Sequence, residues 1–133
     1  MYKDYNYLAG IIDGEGSVCL TKNNTGSFRY PTITVATTTK EIVNYLKSKF
    51  KGKITRKLTK QKESHKDSYV WSSSGNACLD ILKNVVELLI EPRKKNRALY
   101  ILSRYKGVTP RNGKYTKLQL EKKEEFEKVF FLI

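Results

Sequence analysis

Apolar residues follow helical spacing in some segments of the chain and strict alternation in others, and these changes predict the order of the elements. Tyr5, Leu8 and Ile12 recur at helical spacing after Asp4, a favoured N-cap residue, which predicts a first helix over about residues 5–13. The other predicted elements are strands at 17–22 and 27–37 around a turn at 23–26, a helix that ends at Gly52, strands at 53–58 and 68–73 around a loop at 59–67, and three further helices, the last at about 117–131.

Capping signals and a proline predict where several helices begin. Thr38 with Glu41 forms a capping-box pattern before the second helix, and Thr116 with Gln119 forms another before the last helix. Pro92 suits the first turn of the fourth helix. This order of elements predicts an α+β fold, with helices packed on one face of an antiparallel sheet and the other face open.

The charge of the chain indicates what could occupy that open face. There are 26 Lys and Arg against 13 Asp and Glu, a formal net charge of +13, so like charges repel across the surface unless a polyanion is bound. Residues 47–66 hold nine basic residues and one acid, and residues 93–117 hold nine basic residues and no acid. Two-stranded ribbons fit the major groove of DNA, so a basic, open sheet face favours a nucleic-acid partner.

Composition also excludes several kinds of chemistry. His65 is the only histidine, and Cys19 and Cys78 lie far apart, which excludes a zinc site and a histidine-based catalytic triad. Hydrolysis would have to use carboxylates, lysines, arginines, hydroxyls or an oxygen-bound metal. Since the sequence has neither an apolar run near the ~20 residues of a membrane span nor a signal-peptide pattern, we expect an intracellular, soluble protein with no membrane partner.

The segment LAGIIDGEG at residues 8–16 is unusual for an amphipathic helix. Ala9 and Gly10 reduce packing area or helix propensity unless another backbone approaches closely, which implies a helix–helix contact. Asp13 and Glu15 lie at the helix end where the macrodipole disfavours anions, yet two carboxylates flanking a glycine suit a hard divalent cation. This placement suggests that the acids serve a function.

Residues 8–16 resemble the signature of the LAGLIDADG homing endonucleases. The identical positions are Leu8, Ala9, Gly10, Ile12, Asp13 and Gly16. Ile11 is a conservative change, and Gly14 with Glu15 are common variants in the family. The resemblance implies one domain over residues 1–133 with an αββαββα fold, in which an antiparallel β-sheet saddle faces DNA and the helices lie on the opposite face.

The family implies a site-specific homing endonuclease, as in intron homing, that cuts double-stranded DNA at a long palindromic or pseudo-palindromic site. The implied reaction is phosphodiester hydrolysis that depends on Mg2+ (or Mn2+). Because the chain has one copy of the motif, the resemblance implies a homodimer whose motif helices pack across a twofold axis. The implied dimer-interface residues are Leu8, Ala9, Gly10, Ile12 and Asp13. Asp13 is also expected to cap the turn structurally.

The same resemblance implies roles at the catalytic centre. Glu15 of each subunit would hold the metal between protein and DNA, with the Gly14 carbonyl as a further ligand. A basic side chain is expected at the start of the fourth helix, where Arg93 or Lys94 is the first choice and Lys95 the reserve. Plain phosphate contact is the other interpretation of these residues.

Alternation along the strands predicts which side chains face DNA. Because Val18 and Leu20 should enter the core, the residues between and after them should point outward. Pro31 is the position that could shift this register, and Arg56 is ambiguous. The family often has a glutamine or another polar residue just after the second strand. The resemblance therefore implies Thr37, at the end of the predicted strand, as a further candidate catalytic residue. The predicted DNA-facing residues are Cys19, Thr21, Asn23, Tyr30, Thr32, Thr34, Lys53, Thr55, Lys57, Ser68, Val70 and Ser72.

Two other functions stay open at this point. A catalytically inactive relative would act as an RNA-splicing maturase or a DNA-binding regulator, although the intact Glu15 favours the nuclease. An ordinary basic RNA-binding or ribosomal protein would have no reason to carry LAGIIDGEG, and it would be a monomer. Abundant Lys, Asn, Ile and Tyr fit an A·T-rich genome, which points to an organelle matrix or stroma, or to a bacterial or phage-infected cytoplasm.

Overall fold

Helices and strands follow one another along the chain much as the hydrophobic pattern predicts. The computed structural model describes residues 2–23, 28–57 and 67–133. The helices are α1 (Tyr2–Glu15), α2 (Lys40–Phe50), α3 (Gly75–Val85), α4 (Pro92–Arg104) and α5 (Lys117–Phe130). The strands are β1 (Gly16–Thr21), β2 (Tyr30–Thr37), β3 (Lys53–Lys57) and β4 (Ser68–Ser74). Short 3-10 turns at Val86–Leu88 and Lys106–Val108 precede α4 and α5.

The four strands form one antiparallel sheet in the order β1-β2-β4-β3. β1 pairs with β2 from Gly16 opposite Val35 onward, and β2 pairs with β4 at the centre of the sheet. Leu20 lies opposite Pro31, so the proline does not shift the register. The alternation predicted for β1 therefore continues across the sheet.

The helices cover one face of the sheet because alternate strand residues there are apolar. Val18, Leu20, Ile33, Val35 and Trp71 point to this side and are at most 1% exposed. The helix residues buried with them include Leu8, Ile12, Val43, Leu46, Cys78, Leu82, Val85, Ile101 and Phe130. Removal of this apolar surface from water is the main stabilising term of the fold. The other face of the sheet has no layer over it in the described part of the chain.

A tight turn between α2 and β3 places Trp71 in this core. Gly52 has φ +89°, and a Cβ there would lie 2.5 Å from the Ser72 carbonyl oxygen, so the turn requires glycine. The preceding Lys51 carbonyl accepts a 2.7 Å hydrogen bond from the Trp71 indole N–H. The predicted helix end at Gly52 is confirmed.

The fold class predicted from the sequence is confirmed, and so are two of the helix starts. Pro92 is the first residue of α4. The Thr116 hydroxyl accepts from the Gln119 N–H at 3.2 Å, while the Gln119 side chain accepts from the Thr116 N–H at 2.8 Å, a complete capping box.

The ends of two other helices differ from the prediction. The capping box at Thr38 is wrong: α2 begins after Thr39, no side chain caps it, and the Thr39 N–H donates to the Thr37 hydroxyl at 3.1 Å. The first helix begins at Tyr2, so Asp4 lies inside it rather than at its N-cap, and the helix continues past Gly14 to Glu15. The predicted turn at 23–26 and loop at 59–67 lie almost entirely outside the described residues, as does His65.

The outer edge of β1 is covered by side chains from other elements. Arg97 of α4 donates from Nη1 to the Val18 carbonyl oxygen at 3.3 Å, and Arg29 donates from Nη1 to the Leu20 carbonyl oxygen at 3.0 Å. The Arg29 backbone N–H donates to the Glu127 carboxylate of α5 at 3.0 Å. Among the helices of the described ranges, none is long and apolar enough to cross a membrane.

Candidate nucleic-acid interface

The motif helix α1 runs directly into the sheet. Glu15 is the last residue of α1, and Gly16 is the first residue of β1. A Cβ at Gly16 would lie 2.8 Å from the Ile12 Cα and 3.2 Å from the Thr34 carbonyl oxygen, and neither backbone can move away without breaking the junction. The glycine therefore allows the turn that holds Glu15 at the rim of the sheet.

Glu15 lines a groove beside the end of β2. Its side chain is exposed, and its carboxylate makes no hydrogen bond or ion pair with any of the residues that the structure describes. Thr37 lines the same groove, so the structure brings Glu15 and Thr37 together, both of which were predicted for the catalytic centre. Ser68, predicted to face DNA, lines the groove as well. The Thr37 hydroxyl still has donor capacity, because it only accepts from the Thr39 N–H.

Lys94 is the basic residue of α4 that reaches the motif helix. Its Nζ donates to the carbonyl oxygens of Ile12 and Asp13, both at 2.8 Å. These carbonyls lie near the C-terminal end of α1, where the partial negative charge favours a cation. One N–H of the ammonium remains for a ligand.

A second groove, which we call the basic groove, opens beside the start of β1. It is lined by Ser17, Val18, Glu91, Arg93, Lys94 and Arg97. Arg93 and Lys94, the first choices from the sequence, therefore line it, and Lys95, the reserve, does not. Arg93 donates from Nε to the Ile133 carbonyl oxygen at 3.2 Å. The acid of the groove, Glu91, accepts from the Arg93 and Lys94 N–H groups at 3.3 and 2.7 Å.

Asp13 joins the motif helix to α4. Its carboxylate accepts from the Ile90 N–H at 3.0 Å and from the Glu91 N–H at 3.0 Å. Together with Lys94, this gives hydrogen bonds in both directions between the end of α1 and the start of α4. Asp13 therefore has a structural role inside the chain, although it caps the segment before α4 rather than the turn after α1. Its place in a dimer interface stays a prediction.

The motif helix presents a different face to solvent from the one predicted. Leu8 and Ile12 have no exposed surface and Ala9 is 2% exposed, because all three pack in the chain's own core. The prediction that these side chains form a dimer interface is therefore corrected. Gly10 and Gly14 are exposed, and no heavy atom lies within 4 Å of a Cβ built on either of them. The surface at which another helix could approach closely is therefore formed by Gly10 and Gly14, rather than by Ala9 and Gly10 as expected.

The predicted DNA-facing strand residues share the open face of the sheet. Cys19 lies opposite Thr32 and Thr21 opposite Tyr30, and the same face continues across β4 to Lys53 in β3. Asn23 follows β1 and accepts a 2.6 Å hydrogen bond from the Tyr30 hydroxyl. The remaining predicted residues on this face are Thr34, Thr55, Lys57, Ser68, Val70 and Ser72. Among them, Thr32 is only 7% exposed, which leaves it the least accessible to a ligand.

Sequence reasoning missed several residues of these surfaces. Ser17, Ala36 and Ser74 also belong to the open face, and the alternation from Val18 would have found Ser17. Arg97 lines the basic groove, and its position one helical turn after Arg93 was the available signal. The ambiguous Arg56 lies on the helix side of β3 and forms an ion pair with Asp67.

Comparison with known proteins adds to this geometry. No family model and no curated protein matches the chain by sequence. The archaeal intron-encoded homing endonuclease I-Vdi141I, complexed with DNA, has 18% identity and a TM-score of 0.70 over 97% of this chain and 82% of that chain. The homing endonuclease I-CvuI, in complex with the I-CreI target in the presence of Mg and with the DNA not cleaved, has 16% identity and a TM-score of 0.69 over 98% and 81%.

A longer solved structure matches in part. I-SmaMI, bound to an uncleaved DNA target in the presence of calcium ions, has 19% identity and a TM-score of 0.61 over 92% of this chain and 43% of that chain. At these identities the likeness concerns the fold. The chain has the fold of the LAGLIDADG homing endonucleases, as the motif at residues 8–16 predicts.

Proposed function

We propose that the chain is a site-specific, metal-dependent DNA endonuclease that acts as a homodimer. The observation that carries this proposal is the Glu15 carboxylate, which is exposed and uncommitted where the motif helix meets the open face of the sheet. A carboxylate is a preferred ligand of a hard divalent cation. Its position beside a face of polar side chains suits cleavage of the molecule bound there.

The open face of the sheet supports double-stranded DNA as that molecule. Its hydroxyl, amide and ammonium groups are of the types that read base edges in the major groove. The formal net charge of +13 favours a polyanion over a neutral ligand. DNA is the molecule bound in the solved structures of I-Vdi141I and I-SmaMI, which have this fold. A DNA-containing intracellular compartment follows from such a substrate.

The exposed glycines of α1 support a second copy of the chain as the partner. Gly10 and Gly14 are four residues apart, the small-residue spacing that lets two helix backbones approach closely. A twofold dimer would bring two Glu15 residues together and would present two equivalent sheets to DNA. Its target would then be palindromic or pseudo-palindromic, with one strand cut near each Glu15.

The donor set fits a divalent metal only if two copies and DNA share it. Glu15 and the Gly14 carbonyl are hard oxygen donors, but the described residues of one chain include no group of three or more His, Cys, Asp or Glu that could hold a metal. A second Glu15 and DNA phosphates would complete the coordination of Mg2+ or Mn2+. Such an ion supplies Lewis-acid activation of water and of the phosphodiester when it is bound.

Lys94 and Thr37 would act on the substrate beside this site. Lys94 already fixes the end of α1 through two carbonyls, and its third N–H is free to bind a phosphate oxygen. Thr37 lines the Glu15 groove and has a hydroxyl proton to donate, which suits a role in orienting water. Arg93, on the same groove as Lys94, would contact phosphate.

Cleavage selection from a library of palindromic duplexes tests the proposal directly. We expect the unmodified chain to cut a specific duplex in Mg2+ and to bind it without cutting in Ca2+. The Glu15→Gln variant keeps the size of the side chain but loses its charge, so we expect retained binding and a cleavage rate lower by roughly 10^3-fold or more. Glu121→Gln is the matched control, because Glu121 is an exposed carboxylate on α5. That variant should cut normally.

Each of the other outcomes has a definite meaning. Cutting by Glu15→Gln at the normal rate would remove Glu15 from the reaction. Specific binding without any cutting by the unmodified chain would contradict the nuclease and favour the regulator or maturase, with RNA as the next ligand. A monomer at all concentrations, measured by sedimentation, would contradict the dimer.

A further inference from the structure

Arg97 lies where α4 crosses the edge of β1. Its guanidinium carbon lies 4.7 Å from the centroid of the Phe130 ring, a cation–π distance, and its Nη1 donates to the Val18 carbonyl oxygen at 3.3 Å. Phe130 is fully buried, so this ring holds one face of the guanidinium. Arg97 is also one of the residues that line the basic groove.

The hydrogen-bonding capacity of Arg97 is largely unused. A guanidinium has five N–H donors, and in the described part of the chain this one makes a single hydrogen bond. Its Nε is buried and has no acceptor. An arginine retained only to cover the edge of β1 would be expected to pair more of its donors, because an unpaired buried N–H is costly.

The surroundings of Arg97 are strongly cationic. Arg93 and Lys94 line the same groove. Glu91 is the acidic residue of this groove, and its carboxylate already accepts backbone N–H groups. Burial, and then the charge of Arg93, lower the pKa of the Arg97 guanidinium. Three positive charges therefore lie beside one another, and a bound oxyanion would reduce their mutual repulsion.

We propose that Arg97 binds a DNA phosphate in the basic groove, which Ser17 also lines. The inference rests on the proposed function and extends it, because it adds a phosphate contact on the β1 side of Glu15. Ser17 is two residues from Glu15 on a continuous backbone, so the contact would fix the DNA backbone close to the cleavage point. The planar fork of arginine suits bidentate contact with phosphate oxygens.

The first test uses the unmodified chain without metal. The buried Nε–H of Arg97 should give a slowly exchanging 15N–1H resonance, assigned by its loss in Arg97→Lys. We expect it to shift when a duplex of arbitrary sequence is added, whereas the Arg104 resonance should not shift. An unchanged Arg97 resonance in a sample where other residues respond to the duplex would overturn the inference.

The second test compares two variants of the same helix. Arg104 is a matched control, because it too lies over a ring, 5.5 Å from the Tyr100 centroid, but it lines the groove between α4 and α5. We expect Arg97→Gln to weaken duplex binding about fivefold and to reduce the slope of log K against log salt by about one. Arg104→Gln should leave the slope unchanged. Thermal unfolding of both variants shows whether each is folded at the assay temperature.

These outcomes separate the inference from the proposed function. A chain that binds duplex through Arg97 but never cuts in Mg2+ keeps the inference and loses the nuclease. A chain that cuts normally while Arg97→Gln keeps the full salt slope loses the inference alone. Equal slope losses in Arg97→Gln and Arg104→Gln would also overturn it, because general charge would then explain the effect. Arg97→Gln that does not fold leaves the resonance of the unmodified chain to decide.

Discussion

Helix α4 is joined to α1 at one end and to α5 at the other, and each joint holds a lysine in a different environment. At the first joint, the Lys94 ammonium donates to two carbonyls at the end of α1, each at 2.8 Å. At the second joint, Lys123 is 1% exposed, and its ammonium donates to the neutral hydroxyl of Thr109 at 2.6 Å.

Aromatic rings surround the second lysine, whose ammonium has one hydrogen-bond acceptor, Thr109, among the described residues. The Lys123 Nζ lies 4.3 Å from the centroid of the Tyr105 ring and 5.6 Å from that of Phe126. Burial lowers the pKa of Lys123 from 10.5 to about 8, against a smaller opposing effect of the Glu127 charge. The comparison teaches that the two joints differ in what replaces the water around the ammonium. Two carbonyl dipoles do so at Lys94, and one hydroxyl with aromatic rings does so at Lys123.

The largest effect is expected where the first joint loses its anion. Asp13→Ala removes a carboxylate that accepts the Ile90 and Glu91 N–H groups, so we expect the free energy of unfolding to fall by about 2–3 kcal/mol. Urea unfolding measures this change. Asp80→Ala, at an exposed position of α3, is the control and should change stability by less than about 0.5 kcal/mol. Equal losses at both positions would contradict the structural role of Asp13.

The next effect distinguishes the two lysines by an identical substitution. Lys94→Met leaves the Ile12 and Asp13 carbonyls without their donor, so we expect a loss of about 1–2 kcal/mol in the same unfolding experiment. Both lysine variants lower the net charge by one, so general repulsion changes equally and cannot explain a difference between them. A Lys94→Met variant as stable as the unmodified chain would remove the contrast.

The smallest effect has the opposite sign. Lys123→Met removes a poorly compensated buried charge and keeps the apolar stem, so we expect a gain of about 1 kcal/mol at pH 7, after the loss of the Thr109 hydrogen bond. Because the pKa in the folded state, about 8, lies below the unfolded value of 10.5, the folded chain binds fewer protons between these values. Stability of the unmodified chain should therefore rise from pH 8 to about 10.5 relative to the variant. Parallel stability curves for the two proteins would contradict this assignment.

Much of the fold could be predicted because local signals and periodicity agree with the packing. Alternation from Val18 and Leu20 fixes the face of β1, and pairing carries that face across the sheet. The prediction of a capping box at Thr38 was wrong because the pattern of Thr38 and Glu41 specifies a cap only if the helix begins directly after Thr38. In this chain Thr37 takes the Thr39 N–H instead.

The candidate site was predictable from the motif, the family resemblance and the alternation along the strands, but its packing was not. Glu15 follows from the motif. The exposed face of α1 does not, because helical spacing alone cannot say which side of the helix the rest of the chain covers. Leu8 and Ile12 meet the core, and so Gly10 and Gly14 are exposed. Lys94 was a candidate through the family resemblance, and Arg97 had only its spacing from Arg93 as a signal. Their contacts depend on how α4 lies against α1 and β1, which the local sequence does not specify.

The covered edge of β1 has a consequence for self-association. Exposed strand edges pair with other chains, which is a common route to aggregation. The Val18 and Leu20 carbonyls at one edge of the sheet are occupied by Arg97 and Arg29, so that edge offers fewer acceptors to an incoming strand. The β3 edge instead carries Lys53 and Lys57, which repel a like copy only while salt does not screen them. Concentrated salt should therefore make the β3 edge more prone to pair with another chain, whereas the β1 edge stays covered.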